Sequence, residues 1–318
     1  MLFLGTTIDG LQMGLCFAVI ALGVYISYSI LDFPDLTADG SFPLGGVVSS
    51  ILLYRTGLPP VTALLFAALA GAACGALTGV LHARFRITPL LSGIIVMTAL
   101  LSVNLALTKL LTGTGYTTTI FSYKSKGLEG LFGGDAVKLF GDSARAKDAV
   151  TIIILLIAVI LGKIIIDLFL KTKLGYMLSA TGGNERLVSY LGKDSGTYKI
   201  LGISLANGFV AVGGALYSQL YMQYDNNSGS GKVVLALASV IIGMAVFSNI
   251  KFIKDTTAVI FGAIIYSLCL NYLVLVDTNG IYLKLLNAVL FTLILIFNEK
   301  ISAFLAKRTM RKAGGKNA

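Results

Sequence analysis

Nine long apolar stretches follow one another along the 318 residues of this chain. They cover residues 7–30, 39–55, 60–82, 88–112, 149–169, 198–221, 232–249, 256–276 and 281–303. An α-helix needs about 20 mostly apolar residues to cross the hydrocarbon core of a bilayer. The pattern therefore predicts an all-α integral membrane protein, a polytopic bundle of about nine transmembrane helices, or roughly eight to ten.

Hydrophobic residues make up 56% of the chain and charged residues only 13%. In soluble domains about a quarter of the residues are charged. Once the apolar stretches and their connections are subtracted, no segment is long enough for a separate soluble domain. Residues 1–318 are therefore expected to form a single transmembrane domain.

Basic residues beside the predicted spans indicate how the bundle is oriented. If the spans alternate in direction, all of these residues lie on one side of the membrane. They are Arg84, Arg86, Lys171, Lys173, Arg186, Lys193, Lys199, Lys251, Lys254 and the basic residues of the tail 305–318. Loops rich in lysine and arginine stay in the cytoplasm. In this orientation the tail is cytoplasmic, while the N-terminus and the loop 114–147 lie outside the cell membrane. The net charge of +10 follows from this bias and suits contact with membrane lipid, so no nucleic acid partner is expected.

The sequence offers few groups for metal binding or catalysis. His82 is the only histidine, and Cys16, Cys74 and Cys269 lie far apart in apolar stretches. A zinc site needs several such ligands close together. We therefore expect no metal site, no catalytic residues and no cofactor bound by this chain, which is not expected to be an enzyme.

A run that ends in Gly231 and Lys232 looks like the end of a phosphate-binding loop. That motif needs glycine five residues before Gly231 and serine or threonine after Lys232. The chain has Asn226 and Val233 at those positions. The run is therefore not interpreted as a nucleotide site, and any ATP with Mg²⁺ would have to be bound by a separate chain.

A polar segment, residues 182–192, separates two long apolar stretches and has glycine at both ends. Gly182 and Gly183 are expected to free the backbone from the preceding segment. Asn184 can accept hydrogen bonds from the unpaired N–H groups of a new helix. Gly192 suits the left-handed residue that ends a helix. The pattern predicts a helix of about two turns inside this segment.

The predicted helix, residues 185–191, is both charged and apolar. Its charged residues are Glu185 and Arg186. Its apolar edge consists of Leu187, Val188 and Leu191. The positive end of the helix favours a carboxylate at its first residue. A helix this short is not stable alone in water, so it is expected to dock into a groove of another protein. An ordered helix lying at the membrane interface is the alternative.

Two motifs carry a family resemblance. One is Ala-x-Gly-x-Asn from Ala180, followed by Gly192, Lys199 and the pair Gly213 and Gly214; the other is the stretch LDFPDLTADGSFPLGG near the N-terminus. Together they resemble the permeases of ABC importers of the branched-chain amino acid and ribose class.

The resemblance implies that the chain is the permease subunit that forms the translocation pathway of an importer. Residues 182–192 would be a cytoplasmic coupling helix that docks onto a separate ABC ATPase subunit, which binds ATP and Mg²⁺. A second permease copy, giving a homodimer, and an extracytoplasmic substrate-binding lipoprotein complete the implied assembly. The loop 114–147 is the largest candidate surface for docking that lipoprotein, and a plain solvated connection is the alternative.

The substrate is less constrained by the sequence. The N-terminal motif followed by RITPLLSGIIVMTALLSVNLAL resembles the subgroup that takes up amino acids, with tryptophan and tyrosine among them. Sugars and nucleosides, which sister subgroups carry, stay open. A secondary transporter driven by an ion gradient is a second hypothesis, and it predicts internal repeats and paired carboxylates within the membrane.

Polar residues inside the apolar stretches are candidates for a translocation pathway, namely Asp39, Asn104, Asn207 and Asn271. Charged groups at membrane depth are costly and tend to mark function. The alternative for Asp39, with Asp32 and Asp35, is an interfacial loop that caps the next helix. The alternative for the amides is hydrogen bonding between helices that holds the bundle together.

Glycine recurs every four residues in the third stretch, at Gly71, Gly75 and Gly79. This spacing leaves one face of a helix without side chains, so that a neighbouring backbone can approach closely. We interpret it as a packing feature.

Overall fold

The computed structural model describes residues 2–112, 118–120, 144–247, 253–276, 285–294 and 296. Its helices are α1 (Leu2–Val24), α2 (Thr37–Ile51), α3 (Pro60–Ala83), α4 (Pro89–Thr112), α5 (Ala144–Leu170), α6 (Lys173–Gly183), α7 (Glu185–Tyr190), α8 (Ser195–Tyr221), α9 (Lys232–Phe247), α10 (Asp255–Val276) and α11 (Leu285–Ile294). Most of the predicted loop 114–147 and all of the tail 305–318 lie outside these residues.

Seven helices within the described ranges are long and apolar enough to cross a membrane, which confirms the predicted helical membrane bundle. They cover Gly5–Ile30, Pro60–Ala83, Pro89–Leu110, Asp148–Leu170, Ser195–Tyr221, Asn226–Phe247 and Asp255–Leu275. The predicted span 39–55 is instead the 15-residue α2, continued by a π-helical turn at Leu52–Thr56. The predicted span 281–303 is described only over α11 and residue 296. The count of nine full spans is therefore not confirmed.

Helices α1 and α8 form the centre of the bundle. Their most apolar windows are 78% and 61% buried, whereas those of the other five spanning helices in the described ranges are 28% to 39% buried. Large apolar side chains on the outer helices point outwards, as at Leu65, Leu69 and Leu161. An apolar exterior of this kind suits lipid.

Between α1 and α2 the helical path is interrupted inside the bundle. Asp32 has a left-handed φ of 52°, and Pro34 restricts the residue before it to extended conformations. The Asp35 carboxylate then accepts a hydrogen bond from the Thr37 N–H at 2.8 Å, which satisfies a donor that a helix start leaves unpaired. Asp35 is only 6% exposed, so it lies within the bundle and not in an interfacial loop.

The glycine repeat of α3 is a packing face, as the sequence predicted, and the helix that packs against it is α8. A Cβ atom on Gly71 or Gly75 would lie 2.4 Å from the carbonyl oxygen of Asn207 or Ile203. A Cβ atom on Gly79 would lie 2.7 Å from an α8 backbone atom. The two helices are therefore in close contact along residues 71–79 of α3.

Glycine also brings α2 against α8. A Cβ atom on Gly45 would lie 1.9 Å from the carbonyl oxygen of Ala211, and one on Gly214 would lie 1.9 Å from that of Phe42. Both neighbours are backbone atoms, which cannot move aside as a flexible side chain can. Helix α2 can therefore approach α8 this closely only because Gly45 and Gly214 carry no side chain.

At the end of α8 the chain forms a short antiparallel pair. Strand β1 (Thr118–Ile120) pairs with β2 (Gln223–Asp225), with Thr118 opposite Asp225. A 3₁₀ turn at Asn226–Gly229 then leads into α9. The opposite end of the bundle carries the basic residues Arg84, Lys173, Arg186, Lys193 and Lys254, and we call it the basic end.

Replacing Gly45 with alanine should destabilise the bundle, because the new Cβ atom forces α2 and α8 apart. Overpacking of this kind costs about 1–3 kcal/mol. The expected result is a fall of several degrees in the apparent Tm of the purified protein in one detergent. Gly183→Ala is the control, since a Cβ atom there meets nothing within 4 Å. Equal Tm values for the two variants would contradict the backbone contact.

Candidate coupling helix and translocation site

Helix α7 lies between α6 and α8 and is fixed by hydrogen bonds at both ends. Asn184 Oδ1 accepts from the Leu187 N–H at 3.3 Å, so Asn184 caps the helix. Gly192 has a φ of 70°, a conformation that side chains disfavour. The Lys193 N–H then donates to the Val188 carbonyl at 3.2 Å. The segment is therefore a defined helix of six residues followed by a tight closing turn.

The two glycines before α7 do not break the chain, contrary to the prediction. Both belong to α6, which extends to Gly183. A Cβ atom on Gly182 would lie 1.9 Å from the carbonyl oxygen of Ile30. Glycine is therefore required at position 182 because α6 packs closely against the first span, and not because the backbone needs freedom there.

The exposed apolar edge of α7 consists of Leu187 and Tyr190 together with Leu191, the residue that follows the helix. These side chains are 49%, 86% and 57% exposed. Residues spaced by three and four positions lie on one side of a helix. Val188, which the sequence placed on this edge, is fully buried and anchors α7 to the bundle. The prediction omitted Tyr190. Because Tyr190 lies three positions after Leu187, the helical spacing of the sequence also indicates it.

An open depression of about 560 Å³ lies beside this edge. It is lined by Asn184, Glu185, Arg186, Ser189 and Tyr190. The surface of α7 therefore combines an apolar edge with a polar recess that carries the exposed Arg186.

Helix α7 is tied to α8 and α3 through Glu185. The Lys199 Nζ of α8 lies 2.8 Å from Glu185 Oε2, and the Ser195 hydroxyl donates to Glu185 Oε1 at 2.9 Å. Lys199 Nζ also lies 3.3 Å from His82 Nε2. Because an ammonium can only donate, His82 accepts at Nε2 and donates from Nδ1 to the Ile87 carbonyl at 2.8 Å. A continuous series of polar contacts thus joins α7 to the end of α3.

The hydrogen bond from the Lys199 ammonium lowers the pKa of Glu185 below its ordinary value. A carboxyl group with a lowered pKa stabilises the fold above its ordinary pKa, and this stability is lost as the pH falls through the lowered pKa. The contact is therefore intact at neutral pH. Since the Glu185 side chain is 52% exposed, solvent weakens the pair, and its main effect is to orient α7.

Asp39, the first candidate pathway residue, lies on α2 and faces the start of α9. Its carboxylate accepts hydrogen bonds from the N–H groups of Gly231 and Val233, at 3.1 Å and 2.8 Å. A carboxylate is favoured at the positive end of a helix. The structure therefore shows Asp39 capping α9.

Asn207 and Asn104 hold the start of α2 from two neighbouring helices. Asn207, buried in α8, donates to Asp35 Oδ2 at 2.6 Å and accepts from the Ser41 hydroxyl at 2.8 Å. Asn104, buried in α4, donates to the Gly40 carbonyl at 3.2 Å. Three of the four candidates therefore meet at the interrupted helix.

Asn271 lies elsewhere, on α10. Its Nδ2 donates to the Ser267 carbonyl at 3.0 Å and lies 3.5 Å from the Met13 sulfur of α1. It borders a mainly apolar cavity of about 210 Å³ together with Asn287. The structure does not bring Asn271 into the group around α2.

Lys232 is surrounded by aromatic rings. In the sequence it was considered only as part of a run that does not fit the nucleotide-binding motif. Its Nζ lies 4.5 Å from the centre of the Phe17 ring, 5.2 Å from Tyr217 and 5.4 Å from Phe42. A lysine ammonium is attracted to ring faces at these distances. The rings belong to α1, α8 and α2, so no local motif could have revealed this cluster.

Residues 6–297 match the family model for the permease component of the branched-chain amino acid transport system. The chain belongs to this permease family. The resemblance drawn from the two sequence motifs is thereby confirmed. The permease is a multi-pass membrane protein of an amino acid transport family.

Two relatives align with the permease over most of its length. It is 38% identical over 283 residues to the tyrosine transport system permease protein of Clostridioides difficile (strain R20291), covering 89% of this chain and 88% of that protein. It is 31% identical over 283 residues to an uncharacterized protein of Rickettsia prowazekii (strain Madrid E), covering 88% of this chain and 92% of that protein. No solved structure matches the permease.

Removing the cap of α7 should loosen this helix alone. Asn184→Ala leaves the Leu187 N–H without its side-chain acceptor, at a cost of about 1 kcal/mol, or about fivefold in the opening equilibrium. Hydrogen exchange followed by mass spectrometry should show faster exchange in peptides covering Glu185–Tyr190 and unchanged exchange in α5. Ser189→Ala, an exposed substitution on the same helix, is the control. Equal exchange in the two variants would contradict the cap.

Proposed function

We propose that this permease is the membrane subunit of an ABC importer and that α7 is its coupling helix. The observation that carries the proposal is the exposed apolar edge of Leu187, Tyr190 and Leu191 on a helix that is capped and tied into the bundle. Exposed apolar surface rimmed by polar residues marks contact with another protein or with a membrane, and the polar recess beside this edge supports a protein partner. The partner is a separate ABC ATPase subunit, which binds ATP and Mg²⁺.

The orientation of the importer follows from the basic end. Cytoplasmic loops are rich in lysine and arginine, so α7 and the C-terminal tail 305–318 face the cytoplasm and the N-terminus faces outwards. An extracytoplasmic substrate-binding lipoprotein delivers the substrate at the other end, with the loop 114–147 as part of its docking surface. A second permease copy completes the membrane part as a homodimer.

The contacts of Glu185 suggest how ATPase movement reaches the membrane part. When the ATPase subunits close on ATP, they move α7, and the ion pair with Lys199 transfers this movement to α8. The contact of Lys199 with His82 transfers it to α3. Rocking of packed helices about an interface is a common route to alternating access.

The substrate that we propose is an aromatic amino acid such as tyrosine. The relative in Clostridioides difficile is named a tyrosine transport system permease protein and covers most of this chain. The pathway follows α2, where Asp39, Asn104 and Asn207 meet. Asn271, which contacts α1, belongs to a separate part of the wall.

A carrier driven by an ion gradient is disfavoured by how Asp35, Asp39 and Asp167 are used. Asp35 and Asp39 accept hydrogen bonds at the starts of α2 and α9. Asp167 pairs with Lys163 at 2.8 Å and with Lys254 at 2.9 Å. Ion coupling needs carboxylates that can exchange their partners during transport.

Leu187→Asp should separate the permease from its ATPase, because it places a charge in the apolar contact. We expect the ATPase to be lost from pull-downs of the detergent-solubilised complex, and ATP-driven uptake of labelled tyrosine to be lost from cells. Leu174→Asp is the matched control, since Leu174 on α6 is equally exposed, at 48% against 49% for Leu187. An ATPase that stays bound to Leu187→Asp, with normal uptake, would overturn the docking role of α7.

A further inference from the structure

Lys232 is a cation inside a candidate membrane span, Asn226–Phe247. A charged side chain at membrane depth is costly and marks a functional site unless a partner explains it. Within the described ranges, none of the ion pairs involves Lys232. Its ammonium instead lies over the rings of Phe17, Phe42 and Tyr217, and its side chain remains partly exposed.

Two carboxylates of this region, Asp39 and Asp35, accept hydrogen bonds from other groups. Asp39 accepts from the N–H groups of Gly231 and Val233, on either side of Lys232. Asp35 accepts from Thr37 and Asn207. The helix starts inside the bundle, which would otherwise attract an anion, are therefore satisfied by the protein's own acids. Asp39 also attracts the Lys232 ammonium, but none of the salt bridges in the described ranges joins the two groups.

The cluster is reached along a pair of tyrosines. Tyr217 is partly exposed, and its ring centre lies 4.6 Å from that of Tyr221, which is 40% exposed at the end of α8. The Phe17 ring lies parallel to Tyr217, with centres 6.3 Å apart. An aromatic surface thus leads from the end of α8 that lies opposite the basic end to the lysine.

We propose that Lys232, together with Phe17 and Tyr217, is a substrate-contacting site for an aromatic amino acid on its way through the permease. The substrate carboxylate accepts a hydrogen bond from the Lys232 ammonium, and the substrate ring stacks on Tyr217 and Tyr221. Without substrate, the ring faces hold the ammonium in place. This inference rests on the proposed function, since it names the substrate class of that pathway.

A binding measurement tests the site independently of the ATPase. The chain contains no tryptophan, so the fluorescence of L-tryptophan added to the full-length protein in lipid nanodiscs reports binding directly. Lys232→Met should weaken L-tryptophan binding by about tenfold to a hundredfold, the range for a hydrogen bond between charged groups. Lys232→Arg should retain most of the affinity, and Lys173→Met, which removes an exposed lysine at the basic end, should leave it unchanged.

Tryptamine, which has the ring but not the carboxylate, separates a ligand contact from a structural role. It should bind the wild type and Lys232→Met equally. If Lys232 only supports the fold, Lys232→Met will weaken both ligands by the same factor, and the proposal is overturned. Unchanged binding of L-tryptophan to Lys232→Met also overturns it.

Transport by the complete importer distinguishes this inference from the proposed function. Uptake of labelled L-tyrosine should fall in Lys232→Met while ATP hydrolysis by the complex is retained. If Lys232→Met does not fold, loss of uptake in Tyr217→Leu would support the site instead. Normal uptake in both variants would refute the site and leave the importer assignment intact. Absence of ATP-dependent amino acid uptake by the wild type would refute the importer assignment itself.

Discussion

The fold depends on two carboxylates that satisfy helix starts inside the bundle. In the membrane, backbone N–H groups must find acceptors within the protein, and a helix that begins at membrane depth leaves several unpaired. Asp35 accepts from the first turn of α2 and is itself held by Asn207 of α8. Asp39, in the first turn of α2, accepts from the start of α9. The depth of α9 therefore depends on α2, and the depth of α2 depends on the contact between Asp35 and α8.

Helix α8 connects the two ends of the molecule. Its first turns carry Lys199, which pairs with Glu185 of α7, and its last turns carry Tyr217 beside Lys232. Between them, backbone contact with the glycines of α2 and α3 leaves α8 little room to bend. Under the proposed function, a displacement of α7 is passed on through a stiff helix of 27 residues and not absorbed locally, which suits a subunit that couples one side of a membrane to the other.

Local patterns predicted those parts of the molecule that local physics determines. Apolar length predicted the seven described spanning helices but also a span at 39–55 that the structure does not confirm. Asn184 and Gly192 bounded α7 to within a residue, and the repeat in α3 predicted its packing face. The rest depends on contacts between distant segments. The stretch from Asp32 to Asp39 would suit an interfacial loop equally well, and only Asn207, far along the chain, places Asp35 inside the bundle. For the same reason Gly182 looked like a hinge, although it is a packing position against Ile30.

A transport site must hold its substrate and also release it, so tight binding would hinder transport. The arrangement around Lys232 meets both requirements. Because the helix starts nearby are satisfied by Asp35 and Asp39, a carboxylate in the proposed site meets one ammonium, which Asp39 also attracts, and not a cluster of positive groups. Because that ammonium already lies over the rings of Phe17, Phe42 and Tyr217, it returns to them when the carboxylate leaves. In the proposed site, the aromatic rings limit how strongly an amino acid is held, and the lysine determines which end of the amino acid is recognised.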